Sequence, residues 1–293
     1  MGRIKILPDV IANKIAAGEV IERPASVVKE LLENSLDADA DDLRIDIEAG
    51  GRKLIRISDN GTGMLRDDAL LAFERHATSK LRSAEDLFAI ATLGFRGEAL
   101  PSIASVSRLE LTTRSREETT GTRIEIAGAK MIRCDEFARE NGTTITIRDL
   151  FFNVPARRKF LRSEQTEISH IASLVTHYSL AHADKSFELT HAGQRLLFVT
   201  PVNSLKERVF QVFGSKILAD LIEIPERMHE GFRLTGFVSN PQVQKLNRNS
   251  IYLFVNGRLI RDKVLLHALT AAYHNLMPPQ SYPFALIFLD CAA

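Results

Sequence analysis

The feature that most constrains the fold is a pair of short runs in which apolar and polar residues alternate. Residues 43–47 and 54–57 show this period of two, and Gly50-Gly51 lies between them. Alternation predicts half-buried strands, and a glycine pair suits the turn of a β-hairpin. Further elements are predicted by the same patterns: a helix-and-loop stretch at about residues 66–106 and strands at 108–113, 123–126 and 143–147. Antiparallel strands mixed with helices indicate a layered α+β domain rather than a parallel βαβ fold.

A domain boundary is predicted at residues 200–203, which read Thr-Pro-Val-Asn. We therefore expect one domain over residues 1–200 and a smaller one over residues 201–293. The elements expected on either side of the boundary are a helix at about residues 164–182, strands near Phe187 and Leu196, helices at about 205–213 and 262–273, and strands at about 232–239 and 251–255. An apolar run at residues 284–290 lies near the last residue of the chain. We expect the smaller domain to be truncated at its C-terminal end.

Composition sets limits on function. Of the 293 residues, 45% are hydrophobic, which is enough for at least one substantial core. The formal net charge is +1, so any attraction to nucleic acid must come from a local patch. Cys134 and Cys291 are far apart and lack metal-ligand spacing. No run approaches the roughly 18 apolar residues that span a bilayer, so we expect a cytoplasmic protein without a membrane partner.

The first candidate site lies on a helix predicted at about residues 24–36, where Pro24 suits the first turn. Glu30 and Asn34 are four residues apart and therefore share one face, at the edge of the apolar side. Lys29 and Glu33 are predicted on the opposite, solvated side. A carboxylate at this edge could accept a proton from water, and an amide oxygen could bind Mg²⁺. The alternative is an ordinary amphipathic helix whose boundary residues have no special role.

Two glycine-bearing segments could complete a ligand site. Asp59 follows a predicted strand and begins the run Asp-Asn-Gly-Thr-Gly, in which Asp59 could accept a hydrogen bond from an exocyclic amine beside glycines that let a flat ring approach. Gly94 and Gly97 precede a predicted helix, where unpaired amides favour phosphate. Each segment could also be a plain turn. Neither the P-loop pattern nor the Rossmann glycine fingerprint is present.

Taken in order, four motifs resemble the ATP-site motifs of the GHKL superfamily, which includes gyrase, a heat-shock chaperone, histidine kinases and the MutL family of DNA mismatch repair proteins. The motifs are Glu30-x-x-x-Asn34, Asp59-x-Gly61-x-Gly63, Gly94-Phe95-Arg96-Gly97-Glu98-Ala99-Leu100 and Gly142-Thr143-Thr144. The string GFRGEAL at residues 94–100 is similar to the MutL family signature. So are residues 11–38, RHATSK at 75–80 and FFNVPARRKFL at 151–161.

This resemblance implies a Bergerat-type sandwich followed by a ribosomal-protein-like α/β domain, with ATP and Mg²⁺ as cofactors. It implies Glu30 as the general base, Asn34 as the magnesium ligand and Asp59 as the adenine contact. The other implied cofactor-binding residues are Gly61 and Gly63 beside the base, Thr78, Ser79 and Lys80 in a lid, Gly94, Phe95, Arg96 and Gly97 around the phosphates, and Thr143 on the adenine side. In the family a lysine beyond this chain's last residue reaches the γ-phosphate, so we expect weakened hydrolysis with nucleotide binding partly retained.

Two basic clusters could contact DNA phosphates without reading sequence, although such runs are often only solvated surface. The residues are Arg157, Arg158, Lys159 and Arg162 in the first cluster, and Arg258 and Arg261, followed by Lys263, in the second. The resemblance implies that ATP orders the lid and pairs two copies of the chain. It also implies partners in DNA mismatch repair: a mismatch-recognition protein and a repair nuclease or helicase.

The leading hypothesis is therefore an ATPase switch of DNA mismatch repair. One alternative is a DNA-binding scaffold module that holds nucleotide with little turnover. Another is a different GHKL enzyme, such as a topoisomerase subunit or a histidine kinase, but the signature at residues 94–100 and the run at 151–161 argue against both.

Overall fold

The computed structural model describes residue 18 and residues 20–80, 92–94 and 97–291. Contacts between Cα atoms divide the chain into two compact units. Unit 1 holds the described residues up to Val175 together with Lys185–Thr200, and unit 2 holds Thr176–Asp184 together with the described residues from Pro201 onward. We propose two domains, at residues 1–200 and 201–293. The two compact units differ from this division in that residues 176–184 group with unit 2.

Unit 1 is built on one large sheet with helices. Its elements in chain order are α1 (Pro24–Asp37), β1 (Asp42–Glu48), β2 (Leu54–Asp59), α2 (Arg66–Leu71), α3 (Ala99–Val106), β3 (Arg108–Arg114), β4 (Gly121–Ala127), β5 (Lys130–Phe137), β6 (Gly142–Arg148), α4 (Pro155–Phe160), α5 (Glu164–Ala181, whose last residues group with unit 2), β7 (Ser186–His191) and β8 (Gln194–Val199). The sheet has eight strands in the order β5-β4-β3-β6-β2-β1-β7-β8. Neighbouring strands pair antiparallel except for β1 and β7, which are parallel.

The hairpin predicted around Gly50-Gly51 is confirmed, with Ile47 opposite Ile55 and Glu48 opposite Leu54. Helix α1 contacts β2 and α3. Its apolar face is buried together with the inward residues of the hairpin strands, and these core residues are Val27, Val28, Leu31, Leu32, Leu43, Ile45, Ile47, Ile55 and Ile57. Burial of this face fixes α1 against the sheet, because apolar area removed from water is the main favourable term in folding.

Unit 2 contains the second sheet. Its elements after residue 200 are α6 (Leu205–Ala219), β9 (Leu221–His229), β10 (Phe232–Ser239), β11 (Ile251–Val255), β12 (Arg258–Ile260), α7 (Lys263–Ala272) and β13 (Ala285–Cys291). The sheet has five strands in the order β12-β11-β13-β10-β9. Its core cluster contains Leu180, Val209, Phe237, Phe254, Phe284 and Leu286. The mixture of helices with two mainly antiparallel sheets confirms the expected α+β class.

Several boundaries and elements differ from the expectations. The helix expected at residues 205–213 continues to Ala219, past a non-helical residue at Gly214. Strand β5 was not predicted, because it forms one edge of its sheet and its first residues are exposed without alternation. Strand β9 was not predicted, because it contains Pro225, which an edge strand tolerates.

The short strand β12 was also missed, although Asn256-Gly257 before it is a strong signal of a two-residue hairpin turn. Within the predicted stretch at residues 66–106, the structure describes α2 and α3, and residues 81–91, 95 and 96 lie outside the described part. Among the helices that the structure describes, none is both long enough and apolar enough to cross a membrane.

Candidate functional site

Helix α1 presents Glu30 and Asn34 to a large cavity in unit 1. Both side chains are partly exposed, while Val27 and Leu31 on the apolar face are at most 1% exposed. Proline in the first turn and a capping N–H at Ala38 define the ends of this helix. The predicted position of the pair at the edge of the apolar face is therefore observed.

The expectation that Glu33 faces solvent was wrong. Glu33 is 7% exposed and lines the cavity, as Lys29 does. Lys29 Nζ lies 2.8 Å from Glu33 Oε2 and 3.1 Å from Glu30 Oε1. Burial lowers the pKa of Lys29, but hydrogen bonds and charges of Glu33 and Glu30 outweigh it, so the pKa is raised overall. Lys29 is exposed, as predicted, and it bridges the two carboxylates at the wall of the cavity.

At the end of strand β2, three groups hold the Asp59 carboxylate. Ser35 Oγ donates to Asp59 Oδ2 at 2.8 Å. The amides of Gly61 and Thr143 donate to Oδ1 at 3.0 and 3.1 Å. Burial raises the pKa of Asp59, although these hydrogen bonds and the charge of Arg139 act in the opposite direction. These three hydrogen bonds fix the orientation of the Asp59 carboxylate in the cavity wall.

The glycines after Asp59 allow close approach of backbone. A Cβ at Gly61 would lie 2.6 Å from the carbonyl oxygen of Ala38. Gly63 has φ +69°, and a Cβ there would clash with the carbonyl oxygen of Arg114. Gly63 and Thr143 line the cavity, and Gly61 contributes through its hydrogen bond to Asp59.

Thr113 contacts two residues that line the cavity, Thr143 and Met64, and the sequence did not single it out. It is 0% exposed, and its Oγ1 lies 3.0 Å from Thr143 Oγ1. The same oxygen accepts a hydrogen bond from the Met64 amide at 2.9 Å. Thr113 therefore ties strands β3 and β6 to the glycine segment. Only the register of the two strands, with Thr113 opposite Thr143, reveals this contact.

Two loop segments also contribute to the cavity lining. Thr78, Ser79, Lys80, Gly94 and Gly97 all line the cavity. Thr78 Oγ1 accepts a hydrogen bond from the Lys80 amide at 3.2 Å. The predicted residues Phe95 and Arg96 lie outside the described residues.

Lys80 reaches back to helix α1. Its Nζ donates to Asn34 Oδ1 at 3.0 Å and to Asp37 Oδ2 at 2.5 Å. The amides of Leu93 and Gly94 also donate to the Asp37 carboxylate, at 2.9 and 3.1 Å. Asp37 was not among the predicted site residues, although its position three residues after Asn34 places both on one helix face.

The cavity has a volume of about 1030 Å³ and brings together most of the predicted ligand site. The predicted residues that line it are Glu30, Asn34, Asp59, Gly63, Thr78, Ser79, Lys80, Gly94, Gly97 and Thr143. This volume lies at the upper end of the range for small-molecule sites. Its lining includes the fixed Asp59 carboxylate as well as charged groups and backbone amides.

The cavity offers a cation a few oxygen atoms rather than a complete ligand set. Within the described ranges, no three His, Cys, Asp or Glu side chains group closely enough to hold a metal ion. Asn34 Oδ1 already accepts a hydrogen bond from an ammonium, so a positive charge is compatible with this oxygen. A hard cation could use it only with further oxygens from a ligand and from water.

The basic residues lie at two separate places. Arg157, Arg158 and Lys159 lie on the short helix α4, and Arg162 follows it. Arg158, Lys159 and Arg162 are exposed, whereas Arg157 is partly buried and donates to the carbonyl oxygen of Ile21. The backbone around Arg162 is held by Arg52 and Glu167. In unit 2, Arg258 begins β12 and Arg261 follows it, and both are exposed.

Two protein-family models match the chain. Residues 21–138 match the family described as histidine kinase-, DNA gyrase B- and HSP90-like ATPase. Residues 209–293 match the family described as DNA mismatch repair protein, C-terminal domain. The first match includes most of the residues that line the cavity, and the second includes most of the residues of unit 2.

Proteins whose sequences are similar over nearly the whole chain include several that are named DNA mismatch repair protein MutL. The protein of Solibacter usitatus is 68% identical over 100% of this chain and 49% of its own length. The protein of Acidobacterium capsulatum is 58% identical over 99% of this chain and 47% of its own length. The chain thus spans about half the length of these relatives.

Solved structures give the same result. The Aquifex aeolicus MutL ATPase domain complexed with ADP is 33% identical, with a TM-score of 0.69 and coverage of 93% of both chains. The N-terminal domain of a DNA repair protein, 24% identical with a TM-score of 0.83, shares the fold. This chain belongs to the MutL family of DNA mismatch repair proteins and has that family's GHKL ATPase fold.

Proposed function

We propose that this chain binds Mg-ATP in the unit 1 cavity and hydrolyses it, as the ATP-driven switch of a DNA mismatch repair protein. The observation that supports this most is the convergence of Glu30, Asn34, Asp59 and Gly94 on one cavity. These residues lie on a helix, at a strand end and in a loop far apart in the sequence. Membership of the MutL family supports the same conclusion.

The Asp59 end suits adenine. Three donors already fix the carboxylate, and an ionised carboxylate accepts more than three hydrogen bonds, so it can still take one from an exocyclic amine. Gly63 and Thr143 line the cavity nearby, where a small residue leaves room for a flat ring. We infer that Asp59 contacts the adenine base and that Gly61 and Thr143 orient Asp59.

The other end suits phosphate and magnesium. Asn34 Oδ1 is the protein oxygen best placed to hold Mg²⁺, and Lys80 and the Gly94 amide are donors for phosphate oxygens. Bound Mg²⁺ would neutralise charge on the phosphates. Thr78, Ser79 and Gly97 complete this side of the cavity.

Glu30 is the proposed general base. Its carboxylate lines the cavity beside Asn34, and its side chain is 27% exposed, so water can reach it. Lys29 holds one carboxylate oxygen at 3.1 Å and leaves the other to accept a proton from an attacking water. Lys29 is therefore proposed to position the base.

We also propose contacts beyond the nucleotide. The exposed side chains of Arg158, Lys159, Arg162, Arg258 and Arg261 support non-specific binding to DNA phosphates. ATP binding is proposed to pair two copies of the chain, and the paired state to recruit a mismatch-recognition protein and a repair nuclease or helicase. Family membership supports these partners.

The test compares ATP turnover with ATP affinity in the wild-type chain, in Glu30→Gln and in the exposed control Glu22→Gln. We expect Glu30→Gln to lose about 100-fold or more in turnover, because it removes the base, while ATP affinity changes little. The control should match the wild type in both. Wild-type binding without hydrolysis would favour the nucleotide-holding scaffold, and absence of ATP binding would overturn the proposal.

A further inference from the structure

The Asp37 carboxylate takes the donors that the proposed function assigns to nucleotide phosphates. Its Oδ1 accepts from the Leu93 amide at 2.9 Å, and its Oδ2 accepts from the Gly94 amide at 3.1 Å and from Lys80 Nζ at 2.5 Å. Two consecutive backbone amides and an ammonium form an arrangement that binds anions. An anionic side chain of the protein itself therefore lies on the donors that the proposed function assigns to phosphate.

Lys80 also contacts the oxygen that the proposed function assigns to magnesium. The same ammonium that pairs with Asp37 also donates to Asn34 Oδ1 at 3.0 Å, the oxygen proposed to hold magnesium. The ion pair between Lys80 and Asp37 therefore uses both the anion donors and the cation acceptor of the site. A positive and a negative group of the chain are placed where a metal and a phosphate would otherwise be.

The Asp37 carboxylate lies at the end of its helix and depends on the cavity-lining loops for its hydrogen-bond partners. Asp37 is the last residue of α1, where the helix dipole disfavours negative charge. Its side chain is only 7% exposed, so the carboxylate depends on its partners for stability. Those partners come from two loop segments that line the cavity rather than from the core beneath the helix.

We infer that Asp37 is an internal competitor of the nucleotide phosphates, which must displace it from Lys80 and from the Gly94 amide in order to bind. This inference rests on the proposed nucleotide site. It assigns Asp37 the role of setting phosphate affinity, distinct from Glu30, Asn34 and Asp59. Because adenosine carries no phosphate, its binding should not depend on Asp37.

The first experiment measures affinity for adenosine, ADP and ATP in the wild type, in Asp37→Asn and in Asp39→Asn. Asp39 is an exposed carboxylate two residues away with φ +55°, a conformation that asparagine tolerates. Asp37→Asn should raise ADP and ATP affinity by roughly three- to tenfold, because the charge that competes for the donors is removed. It should leave adenosine affinity unchanged, and Asp39→Asn should leave all three unchanged.

Weaker or unchanged ADP and ATP binding by folded Asp37→Asn would overturn the inference. An equal change for adenosine would also overturn it, because that would indicate a general effect on the cavity. The inference would also be contradicted if Asp37→Asn needed a higher Mg²⁺ concentration than the wild type to bind ATP. Asp37 would then help to hold the metal instead of competing with phosphate.

The second experiment requires no nucleotide, and its first measurement uses only the wild-type chain. Amide hydrogen exchange, followed by NMR, should show the Leu93 and Gly94 amides protected by Asp37, and exchange at the rate of an open loop would overturn the inference. In parallel, acylation of Lys80 measured by mass spectrometry should be faster in Asp37→Asn than in the wild type. If ATP fails to bind any chain, the proposed function fails, while these two measurements still decide whether Asp37 holds the site.

Discussion

The Ser35 hydroxyl donates a 2.8 Å hydrogen bond to Asp59 Oδ2, joining the helix that carries Glu30 and Asn34 to the strand end that carries the proposed adenine contact. The two ends of the proposed nucleotide site are therefore connected through one carboxylate. Because the amides of Gly61 and Thr143 hold the other oxygen, Asp59 has little freedom to turn. A rigid acceptor discriminates among ligands better than a mobile one.

Asp59→Asn should weaken ATP binding at least about tenfold, because an amide cannot accept from adenine, from Ser35 and from two backbone amides at once. Isothermal titration calorimetry measures this effect. Asp135→Asn, which changes a partly exposed carboxylate on β5, is the control and should bind ATP as the wild type does. Equal ATP affinity in Asp59→Asn and the wild type would remove Asp59 from the site.

Gly63→Ala should damage both the fold and the site. The residue has φ +69° and no space for a Cβ beside the carbonyl oxygen of Arg114, so we expect destabilisation of about 2–4 kcal/mol and weaker ATP binding. Gly193→Ala is a matched control, because Gly193 has φ +81° but nothing within 4 Å of the added Cβ. That variant should lose only about 1–2 kcal/mol and keep ATP affinity.

Thermal unfolding and ATP titration of both glycine variants measure these effects. If Gly193→Ala lowered ATP affinity as much as Gly63→Ala, the effect at Gly63 would reflect general instability and not its place in the cavity.

Much of the site could be predicted because its residues lie in local patterns. Helical period placed Glu30 and Asn34 together, and glycine-bearing segments marked the loops that line the cavity. Glu33, Asp37 and Thr113 were misplaced or missed, because their surroundings come from parts of the chain distant in sequence. Asp37 contacts Lys80 across 43 positions, and Thr113 meets Thr143 only through strand register. Local pattern cannot reveal such contacts.

The fold shows the same limit. Strands with inward apolar residues were predicted, whereas the edge strands β5 and β9 were not, because an edge position relaxes the requirement for alternation and admits Pro225.

Arg258→Ala together with Arg261→Ala should weaken DNA binding and reduce its salt dependence. Each lost phosphate contact should make the slope of log affinity against log salt less negative by about 0.9. Fluorescence anisotropy with duplexes of two unrelated sequences at several salt concentrations measures this slope. Lys206→Ala, an exposed cation of the same unit outside the cluster, should leave the slope unchanged. A flat salt response of the wild type would exclude phosphate binding altogether.

Unit 2 should lose stability as the pH falls below about 6.5. Burial and the positive charge of Arg261 lower the pKa of His177 to about 4, and His177 packs edge-on against Tyr252. Between pH 6.5 and 4 the unfolded chain binds a proton that the folded unit resists, so stability decreases over this window by at most about 3 kcal/mol. Below about pH 4 this group causes no further loss.

Tyrosine fluorescence during urea unfolding measures this effect in unit 2 alone. The chain has no tryptophan and its four tyrosines, Tyr178, Tyr252, Tyr273 and Tyr282, all lie in unit 2. His177→Gln should show a smaller loss of stability between pH 6.5 and 4. An identical pH dependence in the variant and the wild type would show that His177 does not titrate in this way.

The most direct test of the proposed function is a crystal structure of this chain with a non-hydrolysable ATP analogue and Mg²⁺. We predict adenine against Asp59, magnesium on Asn34 Oδ1, phosphates on Lys80 and the Gly94 amide, and Glu30 within reach of a water near the terminal phosphate. An analogue bound elsewhere, or a cavity in which these residues do not contact it, would contradict the account.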